Sequence, residues 1–349
     1  MDKRIQVLDC TLRDGGLGLE DARINKESEL VFSKDDMDGV AKNLSHSGVN
    51  IIEIGSIEIS SEDKTNMAIY QNIENISKEI PESRSPNQMY AALYRGPDTL
   101  GSDIPNWNES YCEAVRVILR YSELKKSLDF CKELSKKNYK VFIQPMVTMR
   151  YTSDELQMLI DYANDMSAYA LYFVDSYGYM LEQDVKHFFS LFDKGLNQSI
   201  KIGFHAHNNM DLAFSNVLAL LKQESDRNIV IDSCCLGMGQ GAGNLQTEII
   251  IDHLNKYYDA SYDYDAILMA CEIIEKYLSK SLWGYSLTRF LPAINKSAYK
   301  ISLVLRNKYK LSYVEINNIL KNMPEEYRDR YTPESTNELL KMFGYTNLV

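Results

Sequence analysis

"IKIGFHAHNN", residues 200–209, is the stretch on which the reading of this chain turns. Its first half is a short apolar run and its second half is polar, with His205 and His207 at the join. Side chains alternate between the faces of a strand, so the two imidazoles point the same way. Seven further runs share its character: "IQVLDCT" (5–11), "VNIIEIGS" (49–56), "QMYAALYR" (88–95), "EAVRVILR" (113–120), "YKVFIQPM" (139–146), "AYALYFVDS" (168–176) and "NIVIDSCCLG" (228–237). Each is too short for a helix and too continuously apolar for a strand with one wet face. They read as strands buried on both faces, as in a parallel sheet.

Helical patterns lie between the runs, as in "SKDDMDGVAKNLSHSG", "SELKKSLDFCKELSKKN", "SDELQMLIDYANDM" and "LEQDVKHFFSLFDKG". The first and third open on a Ser-led cap signal, and Gly48 and Asn138 stand where helices stop. Eight strand–helix units over residues 1–275 predict a (β/α)8 TIM barrel, with an open doubly wound sheet as the alternative. The third helix is not evident among the Pro, Ser and Asn of 81–110, and "GLEDARINKES" (18–28) reads as a polar loop over the barrel mouth. Past the barrel, residues 276–349 carry helical periods broken by Pro324 and Pro333, which predict a small C-terminal helical region.

The net charge of −11, without a long Lys/Arg cluster, argues against a nucleic-acid partner. No run approaches the ~18 apolar residues of a membrane span, and the start "MDKRIQVLDC" does not read as a signal peptide. Six cysteines without a CxxC pair fit reduced thiols and a cytoplasmic location.

In such barrels chemistry sits at the C-terminal strand ends. There the runs finish in "LDCTLRDGG", "IEIGS", "FIQPM", "FVDSYG" and "GFHAHNN". Two same-facing imidazoles at a mouth are good metal ligands, although a buried histidine can also serve packing. Asp14 is the natural carboxylate to join them, or else a helix cap or a partner for Arg13. "GMGQGAGN" (237–244) matches a relaxed dinucleotide fingerprint, but it follows the eighth run rather than the first. It reads better as a turn whose backbone approaches a ligand, with the Asn244 amide oxygen available to a metal. Gln144, Asp175, Ser176 and Tyr177 lie at strand ends where a substrate would be held.

"LDCTLRDGG", "HAHNN" and "GMGQGAGN" together resemble the DRE-TIM metallolyase superfamily, which includes 4-hydroxy-2-oxovalerate aldolase, hydroxymethylglutaryl-CoA lyase and isopropylmalate synthase. The resemblance implies a divalent metal, Mn2+ or Mg2+, on Asp14, His205 and His207, with Asn244 joining them. Mixed N/O ligands also suit Co2+ or Zn2+. It implies that Arg13 stabilises an enolate formed from a 2-oxo acid, and it matches Glu53 to an acidic position in several members. The expected activity is that of a metal-dependent aldolase or lyase. An acyl-CoA Claisen-type condensing enzyme and an inactive barrel serving as a partner subunit are the alternatives. A dehydrogenase partner, or a homodimer, is the assembly to expect.

The sequence departs from that family at one position. Its pyruvate-forming aldolases carry a histidine base four residues after the arginine, where this chain has Leu17. His46, His187 and His253 fall in helical segments with a surface character. Glu53, Tyr177 and Tyr285 are the substitutes to consider for proton transfer, and a substrate other than 4-hydroxy-2-oxovalerate is expected.

Overall fold

Strands that are apolar on both faces need cover inside and out, and the chain provides it by closing the sheet. The computed structural model describes residues 4–24, 28–59, 62–82, 85, 87–97, 104–280, 283–329 and 331–348. Its strands are β1 (Ile5–Asp9), β2 (Ile51–Ile57), β3 (Ile69–Tyr70), β4 (Met89–Tyr94), β5 (Ala114–Leu119), β6 (Lys140–Pro145), β7 (Ala170–Asp175), β8 (Lys201–Ala206) and β9 (Ile229–Ser233). All pair in parallel in the order β1-β9-β8-β7-β6-β5-β4-β2, and β1–β2 pairing closes the barrel. Its eight strands are the eight apolar runs. The two-residue β3 is an addition, pairing with the end of β2 beyond the reach of β1.

The helices around the barrel are α1 (Thr11–Ile24), α2 (Lys34–Ser47), α3 (Ile73–Ser77), α4 (Leu124–Lys136), α5 (Ser153–Asp165), α6 (Glu182–Gly195), α7 (Ala213–Leu221), α8 (Thr247–Tyr257) and α9 (Tyr264–Leu278). Ser33 caps α2 in a capping box with Asp36, and Gly48 ends it at φ 79°. Asn138 follows α4 at φ 69°. The cap of α5 is Thr152, paired with Glu155, rather than Ser153. Between β4 and β5 no helix forms among the described residues, so the third unit departs from the regular repeat. The preceding α3 is only five residues long.

The polar-loop reading of residues 18–28 is overturned: α1 runs through Ile24, and residues 25–27 lie outside the described residues. Its acidic side chains face protein, not water. Glu20 pairs with Lys64 at 2.8 Å and Arg95 at 2.9 Å, and Asp21 with Lys300 at 2.7 Å. A Cβ on Gly16 would fall 1.9 Å from the Met67 carbonyl oxygen, so only glycine lets α1 seat against the segment after β2. Gly16→Ala is therefore expected to destabilise the protein by about 2 kcal/mol or more, overpacking outweighing the ~1 kcal/mol gain in helix propensity. Calorimetry should show a melting temperature lower by several degrees. An unchanged value would mean that α1 has room to shift.

The remaining helices are α10 (Leu287–Ile294), α11 (Tyr299–Asn307), α12 (Tyr313–Asn322) and α13 (Pro333–Met342). They enclose a second apolar core that includes Leu291, Ile301, Leu305, Ile316, Leu320 and Leu339. Helix α9 stays with the barrel, its Tyr277 hydroxyl donating to Asp36 at 2.5 Å. Asp21, which accepts from Tyr299 at 3.0 Å, ties α1 to α11. No helix is long and apolar enough to cross a membrane among the described residues.

Candidate active site and metal centre

Period-two alternation on β8 carries His205 and, one step beyond the strand, His207 to the barrel interior. Their Nε2 atoms face each other at 3.1 Å. Asp14 arrives from the first turn of α1, with its Oδ2 3.9 Å from His205 Nε2. Ligand atoms of Asp14, His205 and His207 all lie within 4.8 Å of one another. Asn244 closes the group from the glycine-rich turn, where its Nδ2 donates to Asp14 Oδ2 and to the Met238 carbonyl. Gly239 makes this approach possible, because a Cβ there would lie 2.2 Å from Asn244 Nδ2 and 2.8 Å from Asp14 Oδ2.

Asn244 Oδ1 is buried and has no hydrogen-bond partner among the described residues. A buried acceptor left open costs free energy unless something fills its place. A carboxylate, two facing imidazole nitrogens and an unpaired amide oxygen form a donor set that fits a divalent cation.

A chain of alternating charges supports this group. Arg13 donates through Nη1 to Asp14 Oδ1 and through Nε to Glu53 Oε2, both at 2.7 Å. The same Glu53 oxygen accepts from Arg116 Nη1 at 2.7 Å. Arg116 Nη2 donates to Asp232 Oδ2, which also meets His205 Nδ1 at 2.8 Å. The Tyr172 hydroxyl donates to Asp232 Oδ1 at 2.9 Å. With the 3.9 Å step from His205 to Asp14, the chain closes into a ring, and all six of its members are buried.

Protonation follows from this layout. Burial would raise the Asp14 carboxyl, but Arg13 and the two imidazoles outweigh it and hold it below the ordinary range. Asp232 is likewise held down against its burial by Arg116 and His205. Burial opposes charge on His205, yet the Asp232 hydrogen bond raises it to about 9. Burial, and the charge on its neighbour, lower His207 to about 3. Two imidazole nitrogens 3.1 Å apart therefore share one proton, carried by His205. Asp232 against the far nitrogen is the arrangement that orients a metal-binding histidine.

The structure distributes the other residues singled out in the sequence. Glu53 lies inside the ring, with its Oε1 unpaired. Gln144 lies on the interior face with Phe142, and its buried Nε2 has no partner. Asp175 has the opposite parity on β7; its carboxylate accepts from the backbone of Tyr179 and Met180, and burial lifts it to about 7. Ser176 accepts from Val147 N at 2.8 Å. The Tyr177 hydroxyl lies 3.3 Å from Asp329, linking the mouth to the C-terminal helices. Tyr285 is 56% exposed and packs on Phe290. Leu17 is buried against Met67 and Ile69. A cleft of about 760 Å³ lies between the mouth and the C-terminal helices, lined by residues such as Arg150, Tyr179 and Lys296, and includes no member of the ring.

Sequence reasoning missed Arg116, Asp232, Tyr172, Cys10 and Cys234. The available signal was a charge inside an apolar run, Arg116 in "EAVRVILR" and Asp232 in "NIVIDSCC". A charge fully inside a barrel calls for an opposite charge beside it.

An Asp–His–His group at the C-terminal mouth of a barrel, with an arginine beside the aspartate, has the donor set and the place of a catalytic metal site. Residues 108–274 match the HMGL-like family model. The chain is 28% identical over 277 residues to 4-hydroxy-2-oxovalerate aldolase of Geobacillus genomosp. 3, covering 77% of this chain and 76% of that one. It is 24% identical to oxaloacetate decarboxylase of Mycobacterium tuberculosis, over 76% of this chain and 74% of that one. Among solved structures, the carboxyl transferase domain of Rhizobium etli pyruvate carboxylase superposes with a TM-score of 0.70 at 15% identity, covering 97% of this chain and 61% of that one. In sequence the chain is thus similar to members of the DRE-TIM metallolyase superfamily.

Proposed function

We propose that this chain is a divalent-metal-dependent carbon–carbon lyase that acts on a 2-oxo acid by way of an enolate beside Arg13. The observation that carries this reading is the convergence of Asp14, His205, His207 and the unpaired Asn244 oxygen next to a buried guanidinium. Those four residues would hold the cation, and their N/O character suits Mn2+ or Co2+ better than Mg2+. The bound cation supplies Lewis acidity to the keto oxygen. Arg13 is fixed by Glu53 and Asp14, so it offers a positive charge that need not reorganise as the enolate develops. Gln144 brings an unpaired buried N–H that can orient the substrate carboxylate. Asp232 and Arg116 keep His205 in place.

One observation favours decarboxylation over aldol cleavage as the reaction. Aldol cleavage needs a base for the substrate hydroxyl proton, whereas loss of CO2 from a 3-carboxy-2-oxo acid leaves its electron pair directly as the enolate. Position 17, where the related aldolases carry the base, is a leucine packed in an apolar cluster. The Tyr177 hydroxyl is engaged by Asp329, and Tyr285 is largely exposed.

The test is a turnover assay with Mn2+ on oxaloacetate and on 4-hydroxy-2-oxovalerate, using the wild type and Leu17→His. General-base help is worth ~10²–10⁴-fold. Wild-type aldol cleavage is expected to be at least ~10²-fold below a typical enzyme's ~10 s⁻¹, and decarboxylation well above it. Aldol turnover within tenfold of that typical rate would overturn the reading of Leu17. Inactivity on both substrates would overturn the 2-oxo acid assignment.

A further inference from the structure

Two thiols lie beside the histidine pair. Cys10 follows β1 and Cys234 follows β9, strands that pair in register from Ile5–Ile229 to Asp9–Ser233. Cys10 continues that register, its N–H donating to the Ser233 carbonyl at 2.8 Å. Both side chains are fully buried, and their sulfurs are 3.2 Å apart. By period-two alternation Cys234 shares the interior face with Asp232, so the thiols line the same wall as the charge ring.

Ligand atoms of Cys10, Cys234 and Asp14 lie within 4.8 Å of one another. Asn244 Nδ2 reaches Cys234 Sγ at 3.4 Å, so the glycine-rich turn borders this cluster as well. Cys10 also lies in a second close group with His205 and Asp232. A buried pair of sulfurs with a carboxylate is a poor site for Mn2+ or Mg2+ and a good one for thiophilic d¹⁰ cations such as Zn2+ or Cd2+.

We propose that Cys10, Cys234 and Asp14 form a second cation position, selective for thiophilic divalent ions, that shares Asp14 with the histidine site. The two positions share one carboxylate, and Cys10 lies within 4.8 Å of a His205 ligand atom, so cations at the two positions crowd one another and compete. A thiophilic ion at the sulfurs withdraws Asp14 from the imidazoles and empties the N/O site of a harder cation. Binding exchanges the two thiol protons for the cation, with no change of oxidation state. This position rests on the geometry of the sulfurs and does not depend on the reaction assigned above. The vicinal Cys235 is turned elsewhere, its sulfur 3.8 Å from Asp9 Oδ2, and Cys271 lies 3.6 Å from Glu248. Those two cysteines supply the internal control.

The full chain is titrated with Cd2+ while the ultraviolet thiolate-to-cadmium charge-transfer band is followed. One equivalent giving a two-thiolate band is expected in the wild type, in Cys235→Ala/Cys271→Ala and in His205→Ala/His207→Ala. The band should vanish in Cys10→Ala/Cys234→Ala and fall to about half in Cys10→Ala alone, the variant to rely on if the double change does not fold. In parallel, Cd2+ should release Mn2+ from the wild type, read by electron paramagnetic resonance. The Cys10→Ala/Cys234→Ala variant should need about 10-fold or more Cd2+ for the same release, the scale of losses seen on changing groups next to metal ligands. A band that survives loss of both thiols, or no band in folded wild type, overturns the proposal. A protein that binds Cd2+ in this way yet processes no oxo acid retains the site and loses only the assigned reaction.

Discussion

His205→Ala/His207→Ala is expected to lose stoichiometric Mn2+ and all turnover above background while keeping its fold. The two imidazoles supply two of the four donor groups around the proposed cation. Changing only a partner of a ligating histidine already costs ~10–100-fold in metal affinity, so losing both ligands should cost more than about 10²-fold. Elemental analysis after dialysis gives the metal content, and circular dichroism reports the fold. Equal metal in wild type and variant would refute the site. The same centre predicts a pH dependence. Without metal, His205 holds a proton up to about pH 9, shared with His207. A cation must displace that proton, so apparent Mn2+ affinity should rise with pH and level off near that value. Below it the affinity should fall by about tenfold per pH unit, by linkage of one proton to one cation. An affinity that is flat over this range would mean that no proton is exchanged.

Arg13→Lys is the second large effect. Lysine keeps the charge but cannot hold Asp14 and Glu53 together while facing a substrate, since arginine's forked donors are lost. Removing one donor to a developing oxyanion costs ~10²–10³-fold in kcat. A loss of that size is expected, with metal content close to wild type and KM changed much less than kcat. If Arg13 served only to balance the charge of Glu53, the lysine variant would melt earlier yet, where folded, turn over within a few-fold of wild type. The kcat measurement separates the two roles.

The sequence announced a covered parallel sheet because its strands are apolar on both faces, and the count of eight strand–helix units pointed to closure into a barrel. It announced His205 and His207 through spacing alone, since alternation fixes their common direction. Asp14 was legible only in combination with Arg13 and the histidines. Helix α1 was not legible. Gly15, Gly16 and Gly18 lower helix propensity, and what makes α1 a helix is tertiary contact that its glycines allow, such as the approach to Met67. Arg116 and Asp232 were hidden for a different reason. They lie in runs separated by more than a hundred residues, and the pairing that identifies them exists only once β5 and β9 face each other across the barrel. Gln144 and Asp175 look alike in sequence, both polar and both near strand ends. One register step puts Gln144 inside with an unpaired N–H and turns Asp175 outward to hold a loop.

The ring from Asp14 through Arg13, Glu53, Arg116 and Asp232 to His205 also constrains inheritance. Each carboxylate in it is neutralised by a neighbour from another element, so no member can be exchanged on its own without stranding a buried charge. Loss of Arg116 alone would leave Glu53 with only Arg13 and Asp232 with only His205 as cationic partners, and removing one partner of a buried pair typically costs ~3–5 kcal/mol, while replacing the three together by apolar side chains is milder for stability. A lineage that no longer needs the centre therefore meets a stability cost at each single charge-removing substitution that the concerted change lessens. Arg116, Glu53 and Asp232 should pass between descendants as a block, either retained together or abandoned together, so that their covariation marks which relatives still carry a working centre.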